Sequence, residues 1–223
     1  MITQDEQKKH RIAIPSYTLG EELISSISHG VGALLGIAAL VLCIVKSAYA
    51  HDGYKIASSI VFGVTVTLLY LMSCLYHALK VNRAKRVFRV IDHCTIFLLI
   101  AGTYTPYTLV SLRDSIGWWI FGVIWGVAIL GITLNAVNLK RYAKVSVACY
   151  LLMGWMIVLA YQRMVTAIDP VGISLLIWGG VAYSLGAIVY GIGSKRRYFH
   201  SIFHFFCLAG TILHFFSIYL YVL

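Results

Sequence analysis

The chain has 223 residues, 60% of them hydrophobic and only 12% charged, whereas a soluble domain carries about a quarter of charged residues. Too few polar side chains remain to clothe a water-facing surface, so a soluble globular fold is excluded. The net charge of +10 does not indicate nucleic acid, because the 18 Lys and Arg fall in short segments between apolar blocks, where they serve membrane orientation.

A polar lead, 1–22, precedes the first apolar block. That block is too long for the core of a signal peptide and is expected to stay as the first helix. Glu21 and Glu22, just ahead of it, suit the capping of a positive helix end. Apolar blocks of roughly twenty residues, the length that crosses a hydrocarbon layer, predict helices at 23–46, 55–79, 88–112, 116–138, 143–163, 171–192 and 200–221. Backbone groups in lipid must pair within their own segment, so these blocks are helices and not strands. The reading is an all-α membrane protein: a cytoplasmic segment, 1–22, and a seven-transmembrane helix bundle, 23–223, multi-pass in the cell membrane. The loops are too short to house a further domain.

The basic residues orient the bundle. Lys8, Lys9 and Arg11, then Lys80, Arg83, Lys85, Arg86 and Arg89, then Lys140, Arg141 and Lys144, then Lys195, Arg196 and Arg197 share one side. Lys46, Lys55, Arg113 and Arg163 are on the other. The positive-inside rule makes the richer side cytoplasmic, which puts the N-terminus in the cytoplasm and, after seven crossings, the C-terminus outside. Trp118, Trp119, Tyr161, Tyr219 and Tyr221 at block ends suit interfacial anchoring. Gly32-x-x-x-Gly36 and Gly122-x-x-x-Gly126 permit close helix approach, a spacing frequent by chance in glycine-rich helices. Cys43, Cys74, Cys94, Cys149 and Cys207 all lie inside apolar blocks without Cys-x-x-Cys spacing, and read as small buried hydrophobes.

Ionisable side chains inside a membrane segment are costly and mark functional positions. Three clusters stand out at one level, in the cytoplasmic half: Ser73 and His77 at the end of the second helix, Asp92 and His93 at the start of the third, and His200 and His204 at the start of the seventh. Residues four apart share a helix face. His200 and His204 can therefore turn toward one cation, and His77 from a neighbouring helix completes three nitrogens, leaving a fourth tetrahedral position for water as in catalytic zinc sites. The alternatives at these positions are interfacial histidines among basic loops, an Asp92–Arg89 ion pair, and a Ser73 hydroxyl bonded back to its own helix. His214 stands about 15 Å beyond His204 along the axis and reads as a hydrogen-bonded core histidine. His10 and His51 read as solvated, and only one of Asp92 and His93 is expected to face the site.

Ser73-x-x-x-His77, Asp92 and His200-x-x-x-His204 resemble the signature of the hemolysin III family, the mainly bacterial branch of the progestin and adipoQ receptor group within a superfamily of membrane hydrolases. Gly20-Glu21-Glu22 followed by Ser28-His29-Gly30-Val31-Gly32 resembles its leader, with Ser25 near the place of an expected asparagine. The resemblance spans essentially the whole chain. It implies a seven-helix bundle with the N-terminus inside, zinc held by His77, His200 and His204, Asp92 holding or polarising the water on the zinc, and Ser73 beside the metal. The animal receptors' long N-terminal domain is lacking, so no hormone-receptor role transfers.

The implied function is zinc-dependent hydrolysis of a lipid or amide substrate, with membrane lipids as partners and the substrate entering from the bilayer. Asp92 is then general base and acid, and Ser73 a hydrogen-bond donor to the developing oxyanion. Two rival classes are a pore-forming, cytolytic protein, which the lack of a charged stripe disfavours, and a zinc-bearing sensor or regulator without turnover. A retinal protein is excluded, because the last helix has no lysine. The inward N-terminus is opposite to that of G-protein-coupled receptors.

Overall fold

Residues 14–193 and 196–223 are described by a computed structural model. Lys8, Lys9, His10, Arg11 and Lys195 therefore lie outside the described residues. The chain is helical almost throughout: α1 Leu19–Tyr49, α2 Gly53–Ala78, α3 Arg83–Pro106, α4 Gly117–Trp155, α5 Tyr161–Ala167, α6 Pro170–Ile192 and α7 Phe199–Tyr221. No strand occurs among the described residues.

Local chemistry sets the helix ends. Thr18 and Glu21 form a reciprocal capping box, in which the Thr18 hydroxyl accepts from the Glu21 N–H and the Glu21 carboxylate accepts from the Thr18 N–H. Helix α1 consequently begins at Leu19, ahead of the predicted boundary, and Glu21 and Glu22 lie within its first turn. Asn82 caps α3 by accepting from the Lys85 N–H at 2.8 Å. The helix therefore starts at Arg83 instead of 88, which draws Arg83, Lys85 and Arg86 out of the predicted loop and into helix. Beyond Pro106, which has no N–H to give, the chain widens into a π turn over Tyr107–Ser111.

Six helical segments among the described residues are long and apolar enough to cross a membrane: Leu19–Tyr49, Gly53–Ala78, Arg83–Ser111, Gly117–Ala167, Pro170–Ile192 and Phe199–Tyr221. The seven separate helices read from the sequence are thus corrected to six segments. The difference lies between 116 and 163, where no loop divides the two predicted helices. Their junction is one residue with non-helical dihedrals, Asn138 (φ −158°, ψ 87°), and its side chain caps the next turn through the Arg141 N–H at 3.0 Å.

The chain reverses at that residue. The Ser146 hydroxyl donates to Asn135 Oδ1 at 2.6 Å, although in an unbroken helix these residues would stand roughly 16 Å apart. Asn135 Nδ2 also donates to the Tyr150 hydroxyl at 3.3 Å, and Tyr150 donates to the His93 carbonyl at 2.8 Å. Farther along, the Tyr104 hydroxyl donates to the Met153 carbonyl at 2.6 Å and accepts from the Ile157 N–H at 2.8 Å. That insertion coincides with the tightened 3-10 turn at Met156–Ala160.

Helix α1 packs most extensively on α2, and α6 on α7, with α1 also touching α7. Buried positions recur every three or four residues: Phe62, Val66, Leu69, Tyr70, Ser73 and His77 on α2, and Ser201, His204, Cys207, Thr211, His214 and Ser217 on α7. The predicted small-residue contacts divide. A Cβ on Gly32 would press on the Tyr70 ring and one on Gly36 on the Thr67 backbone, whereas Gly122 and Gly126 have nothing within 4 Å of that position. All five cysteines are free.

Gly102 lies where a Cβ would strike the buried Thr65 side chain. Gly102→Ala is expected to destabilise the protein by about 1–3 kcal/mol through overpacking. Gly122→Ala should stay within about 0.5 kcal/mol of the parent. Thermal unfolding of the detergent-purified variants, compared side by side, measures both.

Candidate metal centre

The buried stripes of α2 and α7 end at the same level, together with the first turns of α1 and α3. There His200 Nε2 lies 3.2 Å from His77 Nε2 and 3.1 Å from His204 Nε2. The three donor nitrogens all fall within 4.8 Å of one another, and the set could hold a metal ion. His77 and His204 are buried and His200 is half-buried.

The nitrogens suit a small cation. Imidazoles bound to one tetrahedral zinc at about 2.0–2.1 Å place their nitrogens roughly 3.3 Å apart, close to the two short separations here. Three ring nitrogens turned on one another cannot all be satisfied by the protons they carry, since each neutral ring has one N–H and one lone pair. A cation between them would accept all three lone pairs.

Each ring also touches the start of α1 or the residues leading into it. His77 Nδ1–H donates to Glu22 Oε2 at 2.7 Å. Tyr17 stacks on His200, with centroids 4.8 Å apart and planes 15° from parallel. Burial pushes the Tyr17 phenol well above its ordinary pKa, so it remains protonated. His29 stacks on His204 at 3.7 Å and 14°, and meets Tyr70 edge-on at 4.9 Å. Both nitrogens of His29, and Nδ1 of His200 and His204, are buried without a hydrogen-bond partner.

Ser73 is buried on the face of α2 that carries His77. Asp92 is 9% exposed on α3, and its Oδ2 lies 3.5 Å from His93 Nδ1, which itself donates to the Arg89 carbonyl at 2.9 Å. Asp92 does not join the three-nitrogen set. His214 is the core histidine implied by its spacing: its Nε2–H donates to the Leu176 carbonyl at 3.0 Å. His51 is exposed in the turn after α1.

Sequence reasoning misplaced Glu22 and Lys85. Glu21 does cap α1, and it also accepts from the Tyr198 N–H at 2.7 Å. Glu22 instead turns inward: its second oxygen accepts from Lys85 Nζ at 2.6 Å. Lys85, read as a loop charge, is 1% exposed and donates as well to the Leu79 carbonyl at 2.9 Å. The start of α1 four residues before the predicted boundary is the cause, because it rotates Glu22 onto the inner face. The Thr18-x-x-Glu21 capping pattern was the signal that could have shown it.

An all-helical, multi-pass membrane protein with a three-histidine cluster able to hold a metal is the class that these features define. The family model described as Haemolysin-III related matches residues 17–215, and the chain belongs to that family. It is 39% identical over 203 residues to Hemolysin-3 of Bacillus cereus, covering 91% of this chain and 92% of that protein. It is 38% identical over 205 residues to the Hemolysin-3 homolog of Bacillus subtilis (strain 168), covering 92% and 96%. No solved structure matches.

Lys85→Ala removes the ammonium from Glu22 Oε1 and leaves the carboxylate bonded to His77. Breaking a buried ion pair from one side is expected to cost about 3 kcal/mol. Lys85→Ala/Glu22→Ala, which removes both charges, should recover more than half of that loss. Melting temperatures of the purified single and double variants give the comparison.

Proposed function

We propose that this protein is a zinc-dependent hydrolase acting on a lipid or amide substrate drawn from the bilayer. The observation that carries the reading is the convergence of three histidine nitrogens, with His200 Nε2 3.2 Å from His77 Nε2 and 3.1 Å from His204 Nε2, and all three within 4.8 Å of one another. Two residues on one helix and one on another, all imidazole, make a three-nitrogen set of the kind that leaves a coordination position open for chemistry. A bound zinc would supply a Lewis acid and a water acidified toward neutral pH.

The chain's own groups take the remaining roles. Asp92, whose Oδ2 lies 3.5 Å from His93 Nδ1, takes a proton from the attacking water and delivers it to the leaving group. Ser73, on the face of His77, donates its hydroxyl to the oxygen on which negative charge grows. The apolar, largely exposed outer faces of α1 and α6 suit access from lipid instead of water.

The same reading counts seven crossings. The reversal at Asn138 supports taking 117–138 and 139–167 as two passes, which with the other five segments puts the termini on opposite sides; the loop charges favour a cytoplasmic N-terminus and an outside C-terminus. The basic turns at Asn82 and Asn138 then lie with the metal centre on the cytoplasmic side, as the positive-inside rule requires.

Purified protein is expected to carry about one zinc per chain, and His77→Ala, His200→Ala and His204→Ala each to lose it. Asp92→Asn should keep the metal while hydrolysis falls roughly 10²–10⁴-fold. Elemental analysis, paired with mass spectrometry of lipids incubated with each variant, reads both. Metal-free wild-type protein, or zinc retained in all three histidine variants, contradicts the reading.

A further inference from the structure

Glu22 spends its two carboxylate oxygens on different partners. Oε2 accepts from His77 Nδ1–H at 2.7 Å and Oε1 accepts from Lys85 Nζ at 2.6 Å. Lys85 is itself fixed by the Leu79 carbonyl at 2.9 Å and lies 5.1 Å from the centre of the Tyr76 ring. The carboxylate is thus held in one orientation by groups from α2 and α3. Capping does not explain it, because that task belongs to Glu21. Charge pairing with Lys85 alone does not explain it either, because one oxygen would suffice.

What the second oxygen does is chemically specific. A neutral imidazole carries its proton on one nitrogen, and the acceptor at that nitrogen decides which. With Nδ1–H committed to Glu22, the lone pair of His77 lies on Nε2, the atom that faces His200 Nε2 at 3.2 Å. Had the proton been on Nε2, His77 would present a donor where a metal needs a lone pair.

We propose that Glu22 is a positioning residue of the three-histidine set, holding His77 in the Nδ1–H tautomer and in the ring orientation that metal binding requires, with Lys85 bracing the carboxylate. The inference rests on the reading of His77, His200 and His204 as metal ligands. It extends to the start of the chain's first helix as a unit: Tyr17 against His200, Glu22 against His77 and His29 against His204 each hold one ring. The ligands come from α2 and α7, and their orientation comes from residues 17–29.

The test uses the full chain in detergent or nanodiscs, with zinc affinity measured by competition against a chelator. Histidine-ring ¹⁵N spectra of the zinc-free protein read the tautomer of His77 without any metal or activity. Glu22→Ala is expected to weaken zinc binding roughly 10–100-fold, as loss of an outer-shell partner does, and to remove the Nδ1–H signature of His77. Glu22→Gln, whose carbonyl oxygen can accept the same bond, should recover most of the affinity. Because Glu22→Ala leaves Lys85 buried without its counter-charge, Glu22→Ala/Lys85→Ala is measured beside it. Weak zinc binding in that folded double variant supports the positioning role. Wild-type affinity and an unchanged His77 tautomer in the double variant overturn it, leaving Glu22 as the partner of Lys85 alone. His204→Ala separates the two readings. If it abolishes zinc binding while the Glu22 variants bind normally, only the positioning role falls; if it too binds normally, the ligand set itself is wrong.

Discussion

Hydrocarbon offers a polar side chain nothing to bond to, so a hydroxyl, amide or charge inside this bundle is costly unless another part of the chain answers it. The interior polar contacts follow from that constraint, and they tie helices together at defined heights. Ser47 and Ser59 join α1 to α2 at 2.7 Å. Thr211 on α7 meets the Tyr70 hydroxyl of α2 and the Tyr183 hydroxyl of α6 at 2.6 and 2.5 Å. Tyr107 donates to Ser217, which donates to the Gly172 carbonyl. Apolar packing alone allows helices to slide past one another; these bonds remove that freedom.

The same constraint explains why the ionisable groups gather at one end. A carboxylate and an ammonium in the middle of a bilayer are very costly, while at the level of the α1 start they can pair with each other and lie near headgroups. Glu22, Lys85 and His77 form a connected set from α1, α3 and α2. A second set latches α1 to α7: Glu21 receives the Tyr198 N–H, and the hydroxyls of Ser25 and Ser201 lie 3.1 Å apart. Tyr198 adopts a left-handed conformation (φ 65°), which only a few residues favour, and the Glu21 carboxylate holds its N–H there. The metal candidate lies between these two latches.

The family name shared with the Bacillus relatives speaks of hemolysis, whereas the feature that stands out in the bundle is a three-histidine cluster that could hold a metal ion. The cluster is enclosed by Tyr17, Glu22 and His29, and among the described residues the outer surface is largely apolar.

Hydropathy determined most of the architecture: helices α1, α2, α3, α6 and α7 begin and end within a few residues of the blocks of apolar sequence, because each residue's transfer cost is a local quantity. Helical period also determined that His200 and His204 share a face, and that His214 lies too far along α7 to join them. Tertiary structure alone decided the rest. A single non-helical residue, Asn138, reverses the chain where a loop was expected, and its effect is visible only because Asn135 meets Ser146 across the bend. Glu22 reads as a cap and Lys85 as a loop charge until α1 and α3 are placed side by side, since the partners that define them stand 55 and 63 positions apart in the chain. No local pattern encodes such distant pairings; they arise when the bundle closes and water leaves.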